Sequence, residues 1–226
     1  MEIYIVRHGT TAWNRAHKIQ GRTDIPLDEQ GIQMAHTSGA KLSELGIRFN
    51  AAYSSPLGRA YETAKMLAPG VDIVRDDRLI ELLFGQFEGK VTDELLADGE
   101  CPFKFFRKDP ARYNASTPQF GGESLEDLIA RTRSFMQEVI EPLAGTDKKI
   151  LISGHGAQNR GLLMHVRGTS DLNEFWGTGL QDNCGITQVS LTLSDEGHPV
   201  YGALGECKTY YDKSLSIDPE KLLRNM

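Results

Sequence analysis

The sequence predicts an α/β fold in three layers: a mostly parallel central sheet with helices on both faces, carrying a small helical insertion. Three observations predict it. Elements alternate as strand then helix along most of the 226 residues, the pattern of crossover units in a parallel sheet. Two segments, Ile3-Tyr4-Ile5-Val6 and Ile150-Leu151-Ile152, are apolar without alternation, so both faces of those strands should be covered. Each of these runs ends at a histidine followed by glycine, His8-Gly9 and His155-Gly156, and then at helix-like sequence. Strands of a parallel sheet point their carboxyl ends at one edge, so the two histidines should meet across one crevice there.

The elements follow in order. Residues 2–6 form the first strand. Residues 28–46 read as a helix with Ile32, Ala35, Leu42 and Leu45 on one face and Gly46 at the C-terminal cap. Residues 51–54 form a short strand. Ser55 and Pro56 are expected as N-cap and first residue of the next helix, with Leu57, Ala60, Ala64 and Leu67 on its buried face. Residues 71–75 form another strand. The stretch 81–123 is rich in Phe, Asp, Lys and Pro and lacks long periodicity; short helices are expected at 92–98 and 102–108, in a lid or substrate wall. Residues 125–140 carry a clear helical stripe from Leu125 to Ile140. Residues 149–153 and 157–166 give the second buried strand and its helix. Residues 186–193 alternate apolar and polar, as a strand near a sheet edge does. The polar stretch 206–226 is expected to lie over the surface or fray. The length suits one domain over residues 1–226, with the insertion at about 82–122.

Composition narrows the function classes. The net charge of −6 argues against nucleic acid or a membrane surface as partner, and a cationic site would have to be built locally. Cys101, Cys184 and Cys207 are three, widely spaced and without a C-x-x-C, which points to a reduced cytoplasmic setting. No secretory signal or membrane-spanning stretch is visible. His17, His36, His165 and His198 lack metal-type spacing, and no nucleotide fingerprint or P-loop is present, so neither metal nor cofactor is expected. A homodimer is compatible with the sequence.

Two imidazoles with arginine nearby suit phosphoryl transfer through a histidine. Such chemistry needs a nucleophile with a free lone pair, fixed positive charge on the non-bridging oxygens, an acid for the leaving alkoxide and access for water. His8 is the candidate nucleophile if its other ring nitrogen donates to the backbone. Gly9 would let backbone approach the phosphate. Arg7 supplies permanent charge and forked donors. Arg59, in the first turn of its helix, would lean back to the crevice, and that helix N-terminus would add to the anion site. His155, as cation or donor, would hold the transferring group. Glu81 is the expected acid and Glu88 the alternative; either would need a raised pKa to hold its proton near neutrality.

These residues carry a family resemblance. Arg7-His8-Gly9-Thr10-Thr11-Ala12-Trp13-Asn14 resembles the opening motif of the histidine phosphatase superfamily, the phosphoglycerate-mutase-like proteins. Ser54-Ser55-Pro56-Leu57-Gly58-Arg59-Ala60 is similar to its second-arginine helix, and Glu81 to Gly89 to its acid segment; Gly121-Gly122-Glu123-Ser124 and Gly154-His155-Gly156 match in order. The resemblance covers Met1 to about Leu193. It implies a phosphoglycerate-mutase-like fold, His8 as phosphohistidine nucleophile, Glu81 as proton donor, Arg7, Arg59 and His155 as phosphate clamps, and Asn14, Gln20, Gly21 and Gly156 near the phosphate. Read without the resemblance, Asn14 and Gly21 are turn residues and Gln20 a surface residue. Thr10 stands where the family often has Glu. Leu82-Leu83-Phe84 follows Glu81 where the mutase branch has an Arg-His-Tyr sequence that grips phosphoglycerate. The insertion, with Phe103, Phe105 and Phe106, is more similar to the broad-specificity phosphatases. The expected function is therefore hydrolysis of a small phosphorylated metabolite; the alternatives are a 2,3-bisphosphoglycerate-dependent phosphoglycerate mutase and a non-catalytic phosphate-binding regulator.

Overall fold

The computed structural model describes residues 1–177 and 179–215. Six strands, β1 (Glu2–Arg7), β2 (Ala51–Ser54), β3 (Ile73–Arg75), β4 (Lys149–Gly154), β5 (Ile186–Leu193) and β6 (Pro199–Tyr201), form one sheet in the order β3-β2-β4-β1-β5-β6. The pairs β1/β4, β2/β4 and β2/β3 are parallel, while β5 runs antiparallel to β1 and to β6. The helices are α1 (Ala12–Arg15), α2 (Glu29–Glu44), α3 (Gly58–Leu67), α4 (Thr92–Ala97), α5 (Phe105–Lys108), α6 (Pro110–Ser116), α7 (Leu125–Phe135) and α8 (Gly156–Val166).

Alternate residues of the central strands feed two cores, which makes the three layers. Tyr4, Val6 and Leu151 pack with Met34, Ala35 and Leu42 of α2 and Ala64 and Leu67 of α3. Ile3, Ile5, Ile150 and Ile152 pack with Phe135 of α7 and with Leu162 and Leu163 of α8. A third cluster joins Phe84, Phe87, Phe103, Phe106, Tyr113 and Phe120 of the insertion to Trp176.

Several local expectations change. The buried face of α2 is Gly31, Met34, Ala35, Ser38, Gly39 and Leu42; Ile32 and Leu45 are exposed at 39% and 55%. Gly31 and Gly39 on this face let α2 approach its neighbours closely, and Met34, Ala35 and Leu42 supply its apolar contacts. Gly46 does take the positive φ of a helix cap, +73°. Ser55 does not cap α3. Its Oγ accepts from Leu57 N at 3.3 Å inside a turn, and α3 begins at Gly58 after Leu57, which offers no side-chain cap. The third strand shortens to Ile73–Arg75. The stripe at 125–140 is an α-helix only to Phe135; Met136–Ile140 widens into a π-helical turn, ahead of Pro142, which has no N–H to extend the ladder. The sequence pattern predicts neither helix α6 nor strand β6. Of the polar C-terminal stretch, residues 206–215 dock: Ile186 and Lys208 exchange backbone bonds at 2.9 Å each, and Tyr211 is buried. Residues 216–226 lie outside the described residues.

Gly9 packs against α2. A Cβ there would sit 2.6 Å from Gly31 O, and a Cβ on Gly31 would run into Thr10 O and lie 2.7 Å from Thr10 N. The loop after β1 and the first turn of α2 therefore touch backbone to backbone. Alanine is the better helix former by about 1 kcal/mol, but this contact leaves it no room. Gly31→Ala is accordingly expected to lower unfolding free energy by about 1–3 kcal/mol, measured by urea titration; an unchanged or raised stability would overturn the account of α2 docking.

Candidate active site

The register Arg7↔Gly154 between β1 and β4 brings the two His-Gly strand ends side by side. The rings of His8 and His155 lie 5.2 Å apart between centroids, at 60° to one another, and both residues are buried. His8 Nδ1 lies 2.7 Å from Gly9 O. A carbonyl only accepts, so Nδ1 carries the proton and Nε2 keeps its lone pair.

Two arginines close in on this pair. Arg7 is 6% and Arg59 1% exposed. Arg7 Nη1 donates to Gln181 O at 2.7 Å; Arg59 donates through Nη1 to Thr23 O at 2.8 Å and through Nη2 to Gly21 O at 2.7 Å. Within the described residues, Arg7 Nε, Arg59 Nε and both ring nitrogens of His155 are buried without a partner. Unmet buried donors are costly, and here they gather in one place. Arg59 thus enters from the first turn of α3 as its position implied. The helix N-terminus itself does not join it: Gly58 N donates to Asp24 Oδ1 and Oδ2 at 2.9 and 3.0 Å, so a carboxylate already occupies that end.

Glu81 lines the same cleft. Its Oε1 accepts from Leu82 N at 2.8 Å and Gln158 N at 2.9 Å, and its Oε2 from Ala157 N at 3.3 Å. The first turn of α8 therefore orients the carboxylate. A Cβ on Gly156 would meet Leu180 Cδ1 at 2.8 Å, and Glu81 Oε2 would lie 3.7 Å from it. Arg22 Nε and Arg131 Nη2 each donate to Glu81 O at 3.2 Å, and Glu123 bridges the two guanidiniums. Glu88 is not in the cleft lining. Its carboxylate accepts from Arg22 N, Phe84 N, Thr23 N and Thr23 Oγ1, which makes it the knot of the 21–23 loop.

The remaining expected positions divide. Asn14, Gln20, Gly21 and Gly156 all line the cleft. Asn14 closes a reciprocal cap with Thr11, Gln20 Oε1 is buried without a partner, and Gly21 takes φ +54° against Glu88. The hydroxyl of Thr10 turns away to Asp28 Oδ1 at 2.7 Å. Phe103 and Phe106 are buried in the third core and also line the cleft, so packing and cleft wall are one role for them. Phe105 instead stacks under the Arg112 guanidinium. The cleft, about 700 Å³ with its open mouth, is also lined by Lys18, Ile19, Phe84, Trp176 and Leu180. Sequence reasoning missed Gln181 and Asn183, which sit on the loop entering β5. Because β5 is antiparallel to β1, with Val6 opposite Ile186, its starting end lies at the edge where β1 and β4 finish.

Burial pushes the His8 imidazole well below its usual pKa, and the Arg59 and Arg7 charges push the same way, outweighing the Gly9 carbonyl. His155 is lowered for the same two leading reasons, burial and Arg59. Both shifts favour the neutral ring over the cation. Burial lowers Arg59 itself to about 10, so it stays charged.

A doubly wound sheet whose switch-point crevice holds two facing imidazoles and two buried guanidiniums defines the class: an α/β protein with a socket for a phosphate-like anion. The match to known proteins agrees. Residues 3–199 match the model of the histidine phosphatase superfamily, branch 1, and the chain belongs to that superfamily. A 2,3-bisphosphoglycerate-dependent phosphoglycerate mutase of Rhizobium johnstonii is 36% identical over 168 residues, 72% of this chain and 77% of its own. Among solved structures, phosphoserine phosphatase of Entamoeba histolytica, in complex with 3-phosphoglyceric acid, is 26% identical, with a TM-score of 0.72 over 91% of this chain and 96% of that one. Mycobacterial glucosyl-3-phosphoglycerate phosphatase, complexed with VO3, is 27% identical, with a TM-score of 0.77 over 91% and 97%. These relatives make the protein a phosphatase or mutase enzyme; no helix among the described residues is long and apolar enough to cross a membrane.

The electrostatics are directly testable. Since the neutral imidazole is favoured by burial and by the Arg59 charge, His8 and His155 should stay neutral as pH falls through 6.5 and protonate only at lower pH. Arg59→Met removes one of the depressing charges, so both midpoints should rise. NMR titration of ¹⁵N-histidine-labelled protein reads this; wild-type midpoints at or above 6.5 would contradict the buried-cation account.

Proposed function

We propose that the protein is a phosphomonoesterase that hydrolyses a small phosphorylated metabolite through a phosphohistidine on His8, in one domain with its insertion as cleft wall. The single observation that carries the reading is the set of orphaned donors, Arg7 Nε, Arg59 Nε and the His155 ring, gathered around a His8 whose Nε2 lone pair is free. Phosphate oxygens satisfy those donors, and the free nitrogen then faces phosphorus.

In the first step the Nε2 lone pair of His8 attacks phosphorus and the bond to the alcohol oxygen breaks. Arg7, Arg59 and His155 hold the three non-bridging oxygens as their charge shifts. Glu81, oriented by the start of α8, gives its proton to the leaving alkoxide. In the second step water enters in place of the alcohol, Glu81 takes its proton, and the N–P bond breaks to release inorganic phosphate. Asn14, Gln20, Gly21 and Gly156 line the phosphate's surroundings. No metal or cofactor is required by this scheme. The free thiols of Cys101, Cys184 and Cys207 suit a cytoplasmic enzyme.

The leaving-group side supports hydrolase over mutase. It is walled by Phe84, Phe103, Phe106, Trp176 and Leu180, with Lys18 as the added cation. A mutase must grip the carboxylate and the second phosphate of its sugar acid, which calls for more positive charge than this wall provides. The second reading, a bisphosphoglycerate-dependent mutase, is favoured by the names of the sequence relatives. It is separated by assay: interconversion of 2- and 3-phosphoglycerate with little phosphate release would put it first.

Wild type should release phosphate from p-nitrophenyl phosphate and from members of a metabolite panel, and should trap radiolabel in an acid-labile, base-stable form. His8→Ala should lose both; equal turnover by the variant sinks the proposal. Glu81→Gln should cost about 10²- to 10⁴-fold on alkyl phosphates and much less on p-nitrophenyl phosphate, whose leaving group needs no proton. Equal losses on the two ester types would remove Glu81 from the proton-transfer role.

A further inference from the structure

We propose that Asn183 is a positioning residue for His8, holding the Gly9 carbonyl that keeps the imidazole in its nucleophilic tautomer. Asn183 is buried, and its Nδ2 donates to His8 O at 3.0 Å and to Gly9 O at 3.3 Å. Gly9 O is the same atom that accepts from His8 Nδ1. One side-chain amide therefore sets the direction of the carbonyl on which the tautomer depends. The grip extends along the chain: Cys184 N donates to Arg7 O at 2.9 Å and to His8 O at 3.3 Å, and Gly185 O accepts from Arg7 N at 3.2 Å. Cys184 takes φ +54°, a conformation uncommon for a residue with a side chain and kept only where the surroundings impose it. The turn is bent to bring its polar groups onto the nucleophile's backbone. Asn183 is held in turn, since its carbonyl accepts from the Tyr211 hydroxyl at 2.7 Å, and Tyr211 belongs to the docked C-terminal segment.

The placement bears on chemistry as well as on folding. When the Nε2 lone pair forms the N–P bond and the P–O bond to the alcohol breaks, the ring gains positive charge while Nδ1 keeps its proton. A carbonyl already aimed at Nδ1 stabilises that charge without reorganising. If Gly9 O is free to turn, the ring can shift its proton to Nε2 and lose the lone pair that attacks. This inference rests on the reading of His8 as phosphate acceptor, but its first readout needs no substrate.

The experiment uses the full chain labelled with ¹⁵N-histidine, as wild type, Asn183→Ala and Tyr211→Phe. Long-range ¹H–¹⁵N correlation spectra give the His8 tautomer near neutral pH, and quenched single-turnover reactions with p-nitrophenyl phosphate give the rate of phosphoenzyme formation. Wild type should show one tautomer, protonated at Nδ1. Asn183→Ala should show a mixture and form phosphoenzyme about 10- to 100-fold more slowly. Tyr211→Phe, which removes one oxygen atom and leaves the amide in place, should move both readouts the same way by a smaller amount; it carries the test if Asn183→Ala does not fold. A purely structural role would lower thermal stability and leave the tautomer of the folded fraction intact. A single Nδ1-protonated tautomer with wild-type phosphorylation in the folded variants overturns the proposal. A tautomer mixture in a protein without His8-dependent turnover would keep the positioning role and overturn the phosphatase reading instead.

Discussion

Buried positive charge organises this molecule. Two guanidiniums, Arg7 and Arg59, are removed from water beside two imidazoles, and a charge so placed is tolerated only if its donors find oxygen. The fold supplies that oxygen from loops that have little else in common. Thr23 and Gly21 lend carbonyls to Arg59, and Gln181 lends one to Arg7. Glu88 ties the 21–23 loop from the far side, so the loop that serves Arg59 cannot drift away. Burial lowers the pKa of both arginines, and the Glu81 carboxylate opposes it at each, while Asp24 Oδ1 lies 3.9 Å from Arg59 Nη1. The shift of both histidines toward the neutral ring follows from the same burial and the same charges.

Much of this was legible in the sequence, for reasons that can be named. Strands buried on both faces read as apolar runs, and a parallel pair must share its carboxyl edge; those two facts alone place His8 opposite His155. Arg59 was legible because helical side chains lean toward the N-terminus. What stayed hidden depends on orientation that pattern does not encode. The loop at 181–185 precedes its strand, and in a wholly parallel sheet it would lie at the edge away from the site. Only the antiparallel course of β5 delivers it to His8. Ser55 misled because the usual Ser-Pro start gave way to a turn, which left the cap of α3 to Leu57 and its first N–H to Asp24. Ile32 and Leu45 misled because the buried face of α2 is set by Gly31 and Gly39, which touch backbone, together with Met34, Ala35 and Leu42.

The insertion shows one set of residues meeting two demands. Phe103 and Phe106 must pack with Phe84, Tyr113 and Trp176, because short helices such as α5 and α6 cannot hold themselves together. The same rings present their remaining surface to the cleft. Trp176 Nε1 donates to Phe106 O at 2.7 Å, which ties this wall to the segment after α8. The aromatic surface that stabilises the insertion is therefore also a wall of the cleft, and on the proposed reading it would meet the alcohol part of the substrate. Changes that alter the cleft wall are at the same time changes to a core.

The unmet donors around His8 have a further consequence for the enzyme at rest. On the proposed reading they would meet oxygens on phosphorus and nothing of the alcohol, so free inorganic phosphate would satisfy them as an ester does. The part of that stabilisation already present in the bound ester does not speed the chemical step; only the part that grows as charge shifts onto the oxygens does. In a medium rich in phosphate the socket would spend much of its time filled by its own product. Selectivity and throughput then rest on how well the alcohol's contacts with the aromatic wall compete against simple occupancy, and on how quickly phosphate departs.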